Sequence, residues 1–323
     1  IQNDFNLTKG NFSIGANTLT INGVINTTNG TLTGGSNSNI IIGGSSASTT
    51  LPAITLNNLT LNRLNGISLG GNLTIENALY LDDGELVIGS NTLTMNGSTL
   101  TSNTGSIDAS DNQATLIFNN LSVIDFPQTV FSAEVNNLTI NGAGLTANSD
   151  FTVNGILSLQ NSNQSATKGL LDMQDSYILT MGPNATTIGQ GDVSGRVKRT
   201  SISANIPYTF GSQYTTITFS SAGTLPSEIL FIIKIGQTHS IKTNTINRYY
   251  QIIRTGGATP NTFSLKLRYL DSELNGNDEA KLVYWDHHVP YSGTSPHEHG
   301  KTIYNTNENW IMLAEHGIRY LVT

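Results

Sequence analysis

The sequence predicts an all-β protein in which a parallel β-solenoid (β-helix) is followed by an antiparallel β-sandwich. Two observations indicate this fold class: a long-range repeat in the first part of the chain, and alternating strands without such a repeat in the rest. The repeat is clearest between residues 14–23 and 88–97, which read IGANTLTING and IGSNTLTMNG, with eight identities in ten at a separation of 74 residues. Such self-similarity is typical of stacked units that cannot bury an apolar face alone.

The repeating phrase is a short strand in which Leu or Ile alternates with Thr, bounded by Asn-Gly, Asp-Gly or Gly-Ser. Examples are Leu59–Leu61, Leu73–Ile75, Leu79–Leu81, Leu86–Ile88 and Leu93–Met95. This alternation fits hairpins as well as a solenoid. The long-range repeat, the scarcity of charge and the recurrent Asn-x-Thr phrase favour the solenoid, because stacked rungs let Asn side chains form ladders.

Rungs of about 20–25 residues, stacked about 4.8 Å apart, would give about eight rungs and a rod about 40 Å tall. The alternation also predicts which side chains point into this rod. The predicted inward residues are Leu19, Ile21, Leu59, Leu73, Ile75, Leu93, Met95, Leu138 and Ile140.

A change in composition near Gly195 divides the chain into a repeat domain, residues 1–194, and a second domain, residues 195–323. The first part contains three basic residues, Lys9, Arg63 and Lys168, against thirteen acidic ones, whereas the second has twelve basic and nine acidic residues. All six histidines and both tryptophans lie in the second part. We therefore expect two domains of different construction.

The second domain is predicted to be an antiparallel sandwich that caps one end of the solenoid. Its expected strands are Tyr208–Phe210, Thr215–Phe219, Ile229–Ile235, Ile246–Arg254, Thr262–Leu270, Ala280–Trp285 and Asn309–Leu313. The side chains expected to anchor its core are Tyr249, Tyr250, Tyr269, Tyr284 and Trp310.

Composition excludes several classes of function. Only 11% of residues are charged and the net charge is −7, so the clustered Lys and Arg that nucleic acid or an acidic membrane surface requires are missing. The absence of cysteine removes disulfides, thiolate catalysis and Cys-based zinc sites. No apolar run reaches the roughly 18 residues of a spanning helix. A start at Ile1 without a charged and apolar leader fits an exported mature form, and we expect no membrane insertion.

Several phrases resemble the secreted β-solenoid surface proteins of bacteria that use the type IX secretion route. They are the solenoid repeat itself, GRVKR at residues 195–199, YTFGS at 208–212 and INRYYQI at 246–252. The chain departs from the pattern by lacking Pro-Val in the phrase YTFGS and by placing Tyr250 where Trp is usual. The usual C-terminal sorting domain is also missing, so we expect that it is either cleaved or lies outside this sequence. The resemblance implies export and an extracellular or cell-surface role, and it implies no catalytic residue.

The most suggestive group of metal-ligating residues is WDHHVPYSGTSPHEHG at residues 285–300. It contains His287, His288, His297 and His299, with Asp286 and Glu298 beside them. A His-x-His pair on one strand face and a His-His pair from a loop could form an N/O site for zinc, nickel or copper. The alternative is an exposed polar loop that is rich in histidine.

Acidic turns are the other candidates for chemistry. Asp82, Asp83 and Glu85 could serve calcium binding or general acid/base work on a solenoid face. However, Asp-Gly is also a common turn dipeptide, and Asp108 and Asp111 allow the same two interpretations. The many Asn-x-Ser/Thr triplets are best explained as the phrase of the repeat rather than as glycosylation sites.

The sequence therefore favours a non-enzymatic structural or adhesive protein without cofactors. A first rung with unpaired backbone groups near residues 1–14 predicts end-to-end self-association into filaments, besides contact with other surface proteins. One alternative is a protein that binds or degrades carbohydrate, with glycans as partners. Another is an ice-binding solenoid, suggested by Thr-rich faces that Asn and insertions interrupt.

Overall fold

The computed structural model describes residues 1–161, 165, 167–221, 223–240, 242–257, 262–286 and 297–317, and the side chains among these up to residue 314. The strands of the repeat domain are β1 (Phe5–Leu7), β2 (Gly10–Ser13), β3 (Thr18–Ile21), β4 (Ile25–Thr27), β5 (Gly30–Thr33), β6 (Asn39–Ile42), β7 (Thr49–Leu51), β8 (Ile54–Asn62), β9 (Ile67–Leu69), β10 (Leu73–Asp83), β11 (Glu85–Val87), β12 (Thr92–Met95), β13 (Thr99–Ser102), β14 (Ser106–Asp108), β15 (Thr115–Phe118), β16 (Ile124–Asp125), β17 (Asn137–Ile140), β18 (Leu145–Thr146), β19 (Phe151–Val153), β20 (Ile156–Leu159), β21 (Leu170–Asp172), β22 (Ile178–Met181), β23 (Thr186–Ile188) and the start of β24 (Asp192–Thr200).

These strands form the predicted parallel β-solenoid, with about 9 turns where about eight were expected. Each strand pairs in parallel with the equivalent strand of the next turn, and the largest sheet has 10 strands. Within it, residues of like type stack in register: Leu19 on Ile40, Ile40 on Leu59, Leu59 on Leu79 and Leu79 on Leu100. The stacked apolar residues form the core because every second side chain points inward.

The predicted inward residues are confirmed. Eight of the nine are at most 1% exposed, and Leu19, near the start of the chain, is partly buried against the same core. Each fully buried Leu or Ile contributes roughly 1.5–3 kcal/mol by leaving water. Burial on this scale is what stabilises a repeat whose single rungs have no core of their own.

Asparagine ladders are present on the solenoid. Of the asparagines in the repeating phrase, Asn58 lies in a ladder, whereas Asn17, Asn72, Asn91 and Asn137 bond to backbone groups. The Asn119 amide donates to Asn96 Oδ1 at 2.9 Å, and the Asn141 amide donates to Asn119 Oδ1 at 3.0 Å. A second ladder joins Asn39, Asn58 and Asn77 by bonds of 2.8 Å. Each amide both donates and accepts, so the ladder satisfies side-chain polar groups with few charges.

The second domain contains β25 (Tyr208–Thr209), β26 (Thr216–Phe219), β27 (Glu228–Ile235), β28 (Arg248–Thr255), β29 (Thr262–Arg268), β30 (Tyr284–Asp286), β31 (His297–Gly300), β32 (Ile303–Asn305) and β33 (Trp310–Gly317), with short 3-10 helices at Asp271–Glu273 and Glu279–Lys281. All strand pairings within this domain are antiparallel in the described residues. These strands fall into three sheets. Strands β27 and β28 extend the sheet that contains β24, a second sheet has the order β25, β26, β29, β33 and β32, and β30 and β31 form a two-stranded sheet.

Strand β24 belongs to both parts of the molecule. Its first residues pair in parallel with β21 and its later ones with β22, while its other edge pairs antiparallel with β27 from Gly195 to Thr200. Gly195 therefore lies within a strand, and the predicted boundary at this residue stays a prediction. The hydrophobic core continues from the solenoid through Val193 and Val197 into the sandwich, where Phe210 stacks on Phe231 at 4.1 Å.

Two details of the second domain differ from expectation. The expected strand at 280–285 begins only at Tyr284, because residues 279–281 form a 3-10 helix started by the Asp278 carboxylate, which accepts from the Ala280 amide. The expectation that Tyr249 and Trp310 anchor the core was wrong, because both side chains are only half-buried, whereas Tyr250, Tyr269 and Tyr284 are buried. In the described part of the chain no helix has the length and apolar character to cross a membrane.

Candidate functional site

The structure places only two of the four predicted metal ligands. His287 and His288 lie outside the described residues. On β31 His297 is exposed, and His299 Nε2 lies 2.8 Å from Asp286 Oδ2 on the neighbouring strand β30. The described residues contain no group of three or more His, Asp or Glu side chains that could hold a metal ion. The histidine site therefore stays a prediction.

Of the acidic candidates on the solenoid, Asp82 and Asp83 have partners on the next rung, whereas Asp108 and Asp111 accept from the amides of Ser110 and Gln113 in their own turns. Asp82 Oδ1 accepts from the Asn103 amide at 3.2 Å, and the Thr104 hydroxyl lies 3.2 Å from Asp83 Oδ1. Between the strands, Gly84 adopts φ +84°, and a Cβ there would come within 1.8 Å of the Arg63 carbonyl oxygen. The residues around Gly84 therefore form the bend between two strands of one rung and not the turn of a β-hairpin.

A cavity lies at one end of the sandwich, between the start of β28, the end of β29 and strand β30. It has a volume of about 220 Å³. Its walls include the half-buried rings of Tyr249 and Trp285 and the buried rings of Tyr250 and Tyr284, and Lys242 also lines it. Cavities lined by aromatic residues with a few polar groups are the usual form of small-ligand sites.

Under this cavity lies a buried ionic network that joins the two domains. The Arg248 guanidinium is 2.8 Å from Asp192 Oδ2, at the end of the solenoid, and 2.7 and 2.9 Å from the two carboxylate oxygens of Glu273. It also donates to the Tyr250 hydroxyl at 3.1 Å. Burial opposes the charge of Arg248, but the two carboxylates outweigh it and hold the pKa of Arg248 well above its ordinary value.

A second arginine completes the network. Arg268 Nε lies 3.5 Å from Asp192 Oδ2, and its terminal nitrogens donate to the carbonyl oxygens of Gln190 and Gly191. All three partners belong to the last turn of the solenoid. The positive charges beneath the cavity are thus already satisfied within the protein.

Lys242, which also lines the cavity, is a cation whose described partner is an aromatic ring. Lys242 Nζ lies 4.0 Å from the centre of the Trp285 ring, and the His239 ring packs edge-on against Tyr249 at 5.0 Å. Among the residues that the structure describes, Lys242 forms no ion pair with a carboxylate. Burial of the Tyr250 and Tyr284 phenols raises the pKa of both groups, so these walls are neutral at physiological pH.

Two further buried arginines hold backbone carbonyls rather than carboxylates. Arg63 is fully buried, and it donates to the carbonyl oxygens of Gly43 at 2.9 Å, Gly23 at 2.8 Å and Ile21 at 3.1 Å. Desolvation lowers its pKa. The sequence contained one signal of this role, because Arg63 is the only arginine before residue 195.

Arg199 has the same role where the solenoid meets the sandwich. It donates to the carbonyl oxygens of Gly182 at 2.9 Å, Ala185 at 2.6 Å and Thr209 at 2.8 Å, and it lies over the Tyr208 ring at 5.3 Å. Burial lowers the pKa of Arg199 to about 10. Both arginines therefore hold backbone segments together through hydrogen bonds, and neither guanidinium is available to a ligand.

The first rung presents a sheet edge without a partner in the described part of the chain. Strands β1 and β2 pair on one side only, with β4 and β5. The amides of Phe5 and Ile14 donate to that side, at 2.7 and 3.0 Å. Because backbone groups alternate along a strand, those of Asn6 and Ser13 point to the other side. Phe12 on this rung is 41% exposed.

Comparison with known proteins gives no relative for this chain. No family model, no curated protein and no solved structure matches it.

Proposed function

We propose that the protein is a non-enzymatic structural or adhesive component of a cell surface that self-associates end to end. The observation that carries this proposal is the asymmetry of the solenoid. One end continues through β24 into the sandwich, whereas the strands at the other end, β1 and β2, have an unpaired edge in the described residues. Unpaired edges recruit further strands. A head-to-tail contact of this kind propagates into a filament unless it closes into a ring.

The experiment removes backbone hydrogen-bond donors at the open edge, and its control carries the same loss of the bond that the Asn26 amide donates to Asn6 Oδ1 at 2.9 Å. In the double variant Asn6→Pro and Ser13→Pro, proline removes two amides that point away from β4 and β5, a position that edge strands tolerate. The matched control is Asn6→Ala with Ser13→Ala, which changes the same side chains and keeps both amides. Light scattering against protein concentration and negative-stain microscopy report assembly.

We expect the wild type and the alanine variant to form particles that lengthen with concentration, and the proline variant to remain monomeric with unchanged far-UV circular dichroism. Deleting β1 would be a poorer test, because β4 would become the new open edge. A wild-type protein that stays monomeric at high concentration, or a proline variant that assembles like the wild type, would overturn the proposal.

The absence of turnover is part of the same proposal. Support comes from the carboxylates of Asp82 and Asp83, which bond to the next rung, and from the buried arginines, which are satisfied internally. Incubation with a panel of plant, algal and host glycans should release no reducing ends. Cleavage that disappears in Asp82→Asn with Asp83→Asn, or in His299→Ala, would contradict it.

Carbohydrate binding is the second candidate function, and the aromatic cavity of the sandwich favours it. Ice binding finds less support, because a solvent-side row of the largest sheet runs Thr92, Thr115, Asn137, Ile156 and Thr186 and is not a uniform array of threonine. Secretion by the type IX route and residence at the cell surface stay predictions from the sequence.

A further inference from the structure

We infer that the cavity at the end of the sandwich binds a single sugar ring that carries a carboxylate, a hexuronate, through Lys242 and Trp285. This inference is independent of end-to-end assembly, because the cavity lies in the sandwich domain, away from the first rung. Its arguments are the charge balance, the aromatic surface and the size of the cavity.

The charge balance singles out Lys242. The charges of Arg248 and Arg268 are compensated by the carboxylates of Asp192 and Glu273. Lys281, which also lines the cavity, lies 3.2 Å from the Asp278 carboxylate. Lys242 instead has its ammonium over an indole ring, a contact worth only about 0.5–1 kcal/mol at an exposed site. A ligand carboxylate would give this ammonium a charge-assisted hydrogen bond, which is stronger.

One acidic side chain, Asp286, belongs to the described part of the cavity wall. It is 4% exposed, and its Oδ2 lies 2.8 Å from His299 Nε2 on the neighbouring strand. An anionic ligand is therefore expected to place its carboxylate beside Lys242 and away from Asp286. The chain as a whole has a net charge of −7 and does not attract anions, so an anion site in this cavity depends on Lys242 itself.

The aromatic surface selects a flat ligand with an apolar face. Trp285 and Tyr249 are both half-buried, so one part of each ring packs on the protein and another part lines the cavity. The C–H face of a pyranose ring can pack on such a surface and keep its hydroxyls at the edge. The Asn277 amide donates to the Leu274 carbonyl at 2.8 Å, so its own carbonyl oxygen points elsewhere and can accept from a hydroxyl.

The size of the cavity limits the ligand to one ring. Its volume of about 220 Å³ is below the range of about 300–1,000 Å³ that is typical for drug-sized ligands. An oligosaccharide would thus bind by one residue, with the remainder outside.

The chain offers a matched control for the experiment. Lys266 Nζ lies 4.3 Å from the centre of the Trp310 ring, a contact of the same type that lies outside the cavity. Trp285 and Trp310 are the two tryptophans of the chain. In the variant Trp310→Phe, fluorescence therefore reports on Trp285 alone.

Titration of Trp310→Phe with galacturonate and with glucuronate should give a saturable change in fluorescence. Galactose, glucose and acetate serve as comparisons, since the sugars lack the charge and acetate lacks the ring. Adding Lys242→Ala should weaken uronate binding roughly tenfold or more, the loss expected for a charge-assisted hydrogen bond. Adding Lys266→Ala should leave binding unchanged, and Lys242→Arg should retain most of it.

Circular dichroism and thermal unfolding of each variant show whether it is folded, and calorimetry of the wild type checks the affinity without fluorescence. Neutral sugars that bind as tightly as uronates, or acetate that binds as tightly as either, would overturn the inference. So would an absence of saturable binding in the folded wild-type protein, or equal losses in Lys242→Ala and Lys266→Ala. Assembly measured by light scattering is a separate readout, so failure of either proposal leaves the other intact.

Discussion

The replacement of Arg248 by methionine should greatly weaken the attachment of the sandwich to the solenoid. Methionine keeps most of the length of the side chain and removes its charge and its hydrogen-bond donors. In the variant, the carboxylates of Asp192 and Glu273 lose their main partner while they remain 6% and 4% exposed. The perturbation therefore leaves buried negative charge without sufficient compensation.

The magnitude follows from the cost of breaking a buried ionic network. Removing one partner of such a pair typically costs about 3–5 kcal/mol. Arg268 remains 3.5 Å from Asp192 Oδ2 and offsets part of the loss at that carboxylate, whereas Glu273 has no second arginine in the described network. We therefore expect a loss of about 3 kcal/mol in the free energy of unfolding, near the lower end of that range.

Urea denaturation with two signals is the appropriate assay. Both tryptophans lie in the sandwich, so fluorescence reports on that domain, while far-UV circular dichroism is dominated by the many strands of the solenoid. We expect the two transitions to coincide in the wild type, and the fluorescence transition to occur at lower urea in Arg248→Met. Lys281→Met is the control, because its ion pair with Asp278 is exposed to solvent and should contribute little to stability.

Neutralising the carboxylate that has no second arginine distinguishes buried charge from lost packing. The double variant Arg248→Met with Glu273→Gln removes the unpaired charge of Glu273, while Asp192 keeps Arg268 as its partner, and it should recover part of the stability lost in the single variant. The reasoning would be refuted if Arg248→Met cost no more than Lys281→Met, or if the double variant were less stable than the single one.

Three other outcomes are expected. Gly195→Ala should lower the free energy of unfolding in urea by at least about 1–3 kcal/mol, because Gly195 has φ +92° and a Cβ would lie 2.2 Å from the Gln174 carbonyl oxygen. Wild-type stability of the variant would contradict this account. Asn119→Ala removes two ladder bonds and should cost about 1–3 kcal/mol, and a change below about 0.5 kcal/mol would show that the ladder contributes little. Because burial raises the folded-state pKa of Tyr284 well above 10.0, its contribution is present below pH 10 and is lost as the pH rises further. The unfolding free energy of the wild type should then fall more steeply above about pH 10 than that of Tyr284→Phe, and parallel curves would rule this out.

The sequence alone determined the class of the fold and the inward face of the solenoid. The same spacing of Leu, Thr and Asn recurs from rung to rung, so one local pattern specifies each strand, and stacking of equal rungs then specifies the neighbours. For this reason the burial of Leu59, Leu73 and Ile140 and the ladder through Asn58 could be predicted without coordinates.

The tertiary structure decided everything that joins unlike segments. The burial of Arg63 and Arg248 depends on carbonyls and carboxylates that are distant in sequence and follow no period, and a charged residue gives no local sign that it will be buried. The cavity likewise exists only because β28, β29 and β30 converge at one end of the sandwich, which places Lys242 over Trp285. Periodicity predicts which face of a strand is inside, whereas a site formed by non-repeating strands and loops depends on contacts that only the folded chain creates.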